Sequence, residues 1–335
     1  MSRPLRIAGY IAIGVATGLL LASLAILVLT RTDWGMERAR RYAVEWLADR
    51  VDGELRIGRI SGGGLLGGMV LHDFGIVDPR GRPFLSTDSA EIAYDWRTLV
   101  RGEIVLNRVI LYRPHIAIEK LPGDSAWNYQ YVFPDRSPGE ESARRSLIMF
   151  RDARVFDGMA TVRIPFEPDG PVEPGDTARV ILEDVPGGTV RAMRFENMDV
   201  SLDRVIWESP VEKGRLIEVS SVSGRGYVWR DPFTLRDARG TITMRDSVVA
   251  FDMPEVQLPA TVASMIGRIT MGAAGNDLDV RLETRRMRFA DLQWVYPALP
   301  DEGGGSAVLR IRTQPDGILW LAEDANISTP GSTIA

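Results

Sequence analysis

The pattern of apolar and polar positions changes twice along the chain. Ile7 to Thr30 is an unbroken run of 24 uncharged residues. As a helix rising about 1.5 Å per residue it spans roughly 36 Å, enough to cross a hydrocarbon core about 30 Å thick. A cleaved signal peptide carries an apolar stretch of only about 7–15 residues. The run therefore predicts an uncleaved transmembrane anchor over residues 1–31, although Ala22-Ser23-Leu24-Ala25 imitates a cleavage site. From Asp33 to Val51, Met36, Ala39, Ala43, Trp46, Leu47 and Val51 recur at helical spacing among Glu37, Arg38, Arg41, Glu45 and Asp49. This predicts a short amphipathic helix within 32–52. It either lies at a membrane surface, with Trp34 and Trp46 near the headgroups, or caps the edge of a sheet.

From residue 53 the period falls to two, the signature of strands. Simple alternation puts Val70, His72, Phe74 and Ile76 on one face and Leu71, Asp73, Gly75 and Val77 on the other. Asp78-Pro79-Arg80-Gly81 is a turn signal. Alternation resumes with Ile92 and Tyr94, Ile104 and Leu106, Val109 and Leu111, then Ile116 and Ile118. Between the last two pairs, Pro114 implies an edge, a bulge or a break. Leu278, Val280 and Leu282 alternate cleanly with Asp277, Asp279, Arg281 and Glu283. Residues 134–145 and 165–177 are polar and proline-marked, so they read as linkers, and the one other helical candidate is short, around Phe289–Tyr296. Strand follows strand without helices of 10–15 residues between them, which predicts a mainly β chain built on an antiparallel sheet.

Composition narrows the chemistry. With 45 acidic against 40 basic residues, a net charge of -5, the chain lacks the basic face that nucleic acid requires. Cysteine is absent, which removes disulfides and thiolate metal sites. The only histidines are His72 and His115, each expected to be structural. No P-loop, G-x-S-x-G elbow or H-E-x-x-H motif occurs, and the glycines of 62–68 precede a strand, so they read as a bend or bulge. No catalytic residue, metal site or cofactor is expected, and the chain is not read as an enzyme. Arg3 and Arg6 before the anchor are outnumbered by Arg31, Arg38, Arg40 and Arg41 after it, so charge does not orient the span. A faint repeat relates Leu258-Pro259 to Thr329-Pro330, 71 residues apart at the prolines, and predicts that the native protein continues past residue 335.

Several phrases occur in a telling order. After the anchor and helix come Gly58-Arg59-Ile60-Ser61-Gly62-Gly63, then Leu71-His72-Asp73-Phe74-Gly75-Ile76-Val77-Asp78 and Gly81-Arg82-Pro83-Phe84-Leu85. Asp95-Trp96, Leu99-Val100-Arg101-Gly102, Val109-Ile110-Leu111-Tyr112-Arg113-Pro114 and Trp127-Asn128 complete the series. In this order they resemble the N-terminal portion of the AsmA-like/TamB superfamily, and 235–267 and 292–309 resemble its repeats more loosely. The resemblance implies an inner-membrane single-pass anchor, a cytoplasmic N-terminus and a periplasmic body. That body is an elongated, curled β-sheet forming an open groove, from a first segment at 53–133 through strands and linkers at 134–177 to repeats at 178–335. The implied function is non-covalent phospholipid transport between inner and outer membranes. The alternative is assembly of outer-membrane β-barrel proteins with a barrel partner bound beyond this chain's C-terminus. The family supplies no catalytic residue.

Physics is compatible with a groove, since leaving acyl chain in water costs about 0.8 kcal/mol per CH₂. Alternating strands build an apolar trough naturally, but a closed sandwich or barrel core gives the same alternation, and both readings stay open. The candidate lipid-facing residues are Val70, Phe74, Ile76, Ile92, Tyr94, Ile104, Leu106, Ile116, Ile118, Leu278, Val280 and Leu282. About 14 strands at roughly 4.8 Å spacing would extend about 65 Å.

Overall fold

The computed structural model describes residues 52–61, 68–94, 97–98, 103–133, 147–167, 177–209, 214–245, 247–272, 275–314, 317–330 and 332–334. The expected anchor, with its ends Ile7 and Thr30, and the expected amphipathic helix lie outside these residues, as do 134–146 and 168–176 of the linkers. Among the described residues no helix is long and apolar enough to cross a membrane.

Among the described residues, seventeen strands form one mixed sheet. β1 (Glu54–Ser61), β2 (Gly68–Val77) and β3 (Pro83–Tyr94) pair antiparallel in sequence order. The next position holds two strands end to end, β4 (Ile104–Tyr112) and β5 (His115–Glu119), separated at Arg113-Pro114 where the proline predicted a break. Both run parallel to β6 (Ile148–Pro165). The sheet is therefore mixed, which corrects the antiparallel expectation. A parallel pair needs a crossover of about a dozen residues or more. Residues 120–147 supply it, including a short helix, α1 (Asn128–Val132), that no sequence period announced.

From β6 onward every pair is antiparallel. β8 (Gly188–Glu208) pairs with β6 on one side. On its other side lie β7 (Leu182–Val185) and β9 (Arg215–Tyr227), end to end. β10 (Phe233–Leu235) and β11 (Asp237–Arg245) share the next position. Then come β12 (Val248–Gln257), β13 (Val262–Gly272), β14 (Gly275–Arg288), a 3-10 turn at Phe289–Asp291, β15 (Gly304–Gln314), β16 (Gly317–Thr329) and β17 (Ser332–Ile334). Among the described residues, β1 pairs only with β2 and β17 only with β16, so the two edge strands do not meet.

A line of irregularities crosses the strands. Asp73 (φ 51°), Asp157 (φ 54°) and Asn197 (φ 50°) take the left-handed backbone conformation that short polar side chains tolerate best, and Arg113 (φ 49°), a long side chain, takes it as well. Pairing sets them nearly opposite one another across β2 to β8. Further on, the register shifts at 239–241, 253–256, 284–287 and 306–308, and Asp324 (φ 47°) continues the series. Each such bulge bends its strand and resets which way the side chains point. The effect is plain at Asp73. Leu71 is buried with Ile57, Ile60 and Ala90, and Phe74 packs on the same cluster with Met69, Ile92 and Leu111. Leu71 and Phe74 thus share a face, and Val70, between Met69 and Leu71, turns to the other. Unbroken alternation had put Val70 with Phe74.

Helix α1 docks against the start of the sheet. Val132 is fully buried beside Ile76, with Leu55, Phe74, Phe84 and Leu85 packed around them. β3 reaches β5 only through Leu85 and Ser86. Beyond that point Asn128 takes the ladder's place: its Nδ2 donates to the Ala117 carbonyl at 2.7 Å and its Oδ1 accepts from the Glu119 amide at 2.9 Å. The turn after β2 is tied to the loop before the helix by charge. The buried Asp78 carboxylate accepts from Arg82 Nε at 2.8 Å, and Arg82 Nη1 donates to Asp124 Oδ2 at 2.6 Å. Arg80 also pairs with Asp124, and its guanidinium lies 4.2 Å over the Tyr131 ring.

Two outcomes follow from this docking. Asn128→Ala leaves two buried backbone groups unpaired and is expected to destabilise the chain by about 2–6 kcal/mol in chemical denaturation, given about 1–3 per orphaned group. Burial would raise the Asp124 carboxyl, but the Arg82 hydrogen bond, the Leu121 amide and the charges of Arg82 and Arg80 outweigh it and hold it below the usual carboxylate range. A lowered carboxylate adds stability that is complete above its unfolded value of about 3.9 and disappears as pH falls through the folded value. The stability gap between the native chain and Asp124→Asn is therefore expected to be full at neutral pH and to narrow below about pH 4.

Candidate functional site

Register carries one side chain per strand straight across most of the sheet. Tyr94, Leu106, Phe150, Val205, Ile217, Ile242, Phe251, Gly267, Val280, Ile311 and Trp320 stand opposite one another in successive positions from β3 to β16. At about 4.8 Å between strands the row is about 48 Å long. Every member but Gly267 is apolar or aromatic. There, a Cβ would come within 2.8 Å of Phe251 Cζ, so the Phe251 ring occupies the place of the missing side chain.

Parallel rows widen the stripe. Met253, Met265, Leu282, Leu309 and Ala322 form one. Met244, Val249, Ile269 and Leu278 form another. In the first half of the sheet, Ile92, Val109, Ala153, Leu202 and Val219 align in the same way. Near one rim runs a further row: Leu55, Ile76, Leu85, Ile116, Ala160, Phe195, Gly226 and Phe233.

The opposite face is charged and paired across strands. Arg312 Nε meets Asp279 at 3.2 Å, Arg310 Nη1 meets Glu323 at 3.8 Å, Arg204 Nε meets Glu218 at 3.1 Å and Arg108 Nε meets Asp152 at 3.1 Å. Exposed pairs of this kind contribute about 0–1 kcal/mol each, so they solvate and space the strands more than they hold them. All described strands belong to one sheet. Within the long row Val205 and Val280 are buried, most others are half-buried and Trp320 is 59% exposed.

The sequence candidates distribute over this face unevenly. Tyr94, Leu106 and Val280 lie in the long row, with Ile92, Leu278 and Leu282 in its neighbours. Ile104 aligns with Ile148, and Ile118 with Val162 and Met193. Ile76 and Ile116 belong to the rim row, where Ile76 is buried under Val132 of α1 with Phe74 packed beside it. Val70 is the exception, aligned with Glu91, Ile110, Arg154 and Ser201 on the charged side. Sequence reasoning did not single out Phe150, Val205, Ile217, Ile242, Phe251, Ile311 or Trp320. Alternation within each strand exposes them, as with Val249, Phe251 and Met253, once the bulges are located.

The histidines hold to local partners: His72 Nε2 lies 2.7 Å from Ser61 Oγ, and His115 Nε2 lies 3.2 Å from Thr161 Oγ1. Among the described residues no group of three or more acidic or histidine side chains could hold a metal ion. The apolar rows are thus the feature with the widest reach. Compared with known proteins, the chain matches no family model, no curated protein and no solved structure.

Gly267 tests how tightly the long row is packed. A Cβ there would lie 2.8 Å from the Asp279 carbonyl oxygen as well as from Phe251. Gly267→Ala is expected to destabilise the chain by about 1–3 kcal/mol in chemical denaturation, the cost of overpacking.

Proposed function

We propose that this chain is a membrane-anchored periplasmic protein that carries phospholipid without covalent chemistry, the acyl chains lying on the apolar rows of a curled, trough-like sheet. The observation that carries the reading is the long row. It gives a lipid tail about 48 Å of unbroken apolar contact along the direction of strand stacking. A two-chain lipid faces on the order of 20 kcal/mol or more on entering water, so free passage across an aqueous gap is very slow. On a surface of constant polarity the lipid exchanges one equivalent contact for the next, and the net change per step is small. The bulge line supports a trough, because strands that all bend at one level fold the sheet along its length. The half-buried state of the row supports access from outside, and the ion-paired opposite face suits contact with water.

The order of sequence phrases that resembles the AsmA-like/TamB superfamily supports the same assignment, including the inner-membrane anchor and delivery toward an outer membrane. Orientation with a cytoplasmic N-terminus rests on that resemblance. Assembly of outer-membrane barrels remains the alternative for this architecture. It differs in its partner, a barrel protein instead of a lipid.

A photo-crosslinking amino acid placed at Phe251 in the full chain, expressed in membranes, is expected to capture phospholipid, and the same probe at Arg281 on the opposite face is not. The double variant Phe251→Asp, Ile311→Asp is expected to lower lipid recovered with the chain about tenfold, corresponding to a penalty of about 1.4 kcal/mol. Its unfolding midpoint is expected to stay within a few degrees of the native one. Equal capture at both positions, or an unfolded double variant with no lipid on the native chain, overturns the proposal in favour of a closed structural core.

A further inference from the structure

One rim of the apolar face carries a cationic cluster with no carboxylate partner among the described residues. Arg191, in β8, and Arg179, just before β7, both lie against the Trp229 ring, guanidinium carbon to ring centre 4.4 and 5.3 Å. Arg179 Nη2 donates to the carbonyl oxygens of Trp294 and Val295 at 2.9 and 2.6 Å, which draws the segment after the 3-10 turn toward β10. There the Trp294 ring meets Phe233 at 4.6 Å between centres. Phe233 ends the rim row of the apolar face.

Three donor atoms in this cluster are buried and find no acceptor among the described residues: Arg179 Nε, Arg191 Nε and Trp294 Nε1. Among the described residues neither arginine pairs with a carboxylate, whereas Arg82, Arg163 and Arg204 all do. Burial pushes the Arg191 guanidinium below its ordinary value, and no negative charge among the described residues opposes the shift. Arg191 is half-buried and donates one long hydrogen bond, 3.5 Å, to the Val228 carbonyl, and a half-buried cation with no carboxylate beside it favours a counter-ion. Two planar guanidinium forks with an indole N–H on an aromatic shelf offer the donor set that suits phosphate oxygens.

We propose that Arg191, Arg179 and Trp294 bind a phosphate group at the rim of the apolar face, and that this phosphate is the headgroup of a phospholipid whose chains lie on that face. The inference rests on the lipid-carrying reading for its source and on the unpaired donors for its chemistry. Phe233, in contact with Trp294, joins the two regions: phosphate on the arginines, first methylenes against the aromatic rings. A soluble phosphate compound would share the headgroup contacts and lack the apolar ones.

The test uses the full chain held in amphipol and three probes: monomeric dihexanoyl phosphatidylglycerol, inorganic phosphate and uncharged octyl glucoside, each titrated by calorimetry. The short-chain phospholipid is expected to bind most tightly, and Arg191→Gln to weaken it about tenfold while Arg281→Gln leaves it unchanged. Should Arg191→Gln not fold, Arg191→Lys keeps the charge and loses the fork, and a smaller loss of the same sign is expected. Equal binding by native chain and Arg191→Gln, or equal loss in Arg281→Gln, overturns the site. Inorganic phosphate binding as tightly as the phospholipid overturns the headgroup assignment. Photo-capture at Phe251 separates the two readings: intact capture with no arginine dependence defeats only the rim site, and arginine-dependent binding without capture defeats only the trough.

Discussion

The constraint on which the rest of this structure depends is that apolar side chains must stay on one side of a single sheet through many consecutive strands. A strand shows alternate residues to alternate sides, so any slip or insertion reverses the pattern beyond it. Bulges do reverse it here, and the sequence reverses with them. Met69 and Leu71 before Asp73 are in phase with Phe74 and Ile76 after it only because the backbone resets between them. The same compensation recurs strand after strand. Bend and residue pattern are therefore one adaptation, since neither would keep the apolar side continuous without the other.

Much of the architecture was legible in the chain itself. The period of two, the turn at 78–81 and the break at Pro114 all appear where the alternation and punctuation placed them. The short helical candidate near Phe289 is a 3-10 turn. Two features were hidden, for different physical reasons. The parallel step between β5 and β6 depends on a crossover whose helix, among the described residues, is five residues long, too short to leave a period in the sequence. The facing of Val70 depends on one left-handed residue, Asp73, and nothing in the side-chain pattern distinguishes an aspartate in that conformation from an ordinary polar position. For Leu278, Val280 and Leu282 the strand runs without a bulge, and simple alternation puts all three on the apolar side.

The two long sides of the sheet are finished differently. Along the rim formed by the end of β2, the start of β3 and the end of β5, α1 covers the apolar side, with Val132 and Asn128 as its two attachments. Further along the same rim the segment after Phe289 bends back to Phe233 and is held by Arg179. At the other rim Trp207 and Trp320 are exposed. The Arg215 guanidinium lies 4.1 Å over the Trp207 ring. Aromatic side chains with a cation alongside suit a boundary between apolar and wet surroundings.

The parallel step also governs how the chain can assemble. Most ladders join strands that are neighbours in the sequence, so most of the sheet can grow by adding hairpins, with little loop entropy to overcome at each addition. The ladder from β4 and β5 to β6 is different: its partners lie 44 residues apart, as Ile104 opposite Ile148. Contacts of that range slow folding. The first strands and the remainder of the sheet are thus two locally wound pieces, and their seam is the one junction that cannot form by simple zippering from either side.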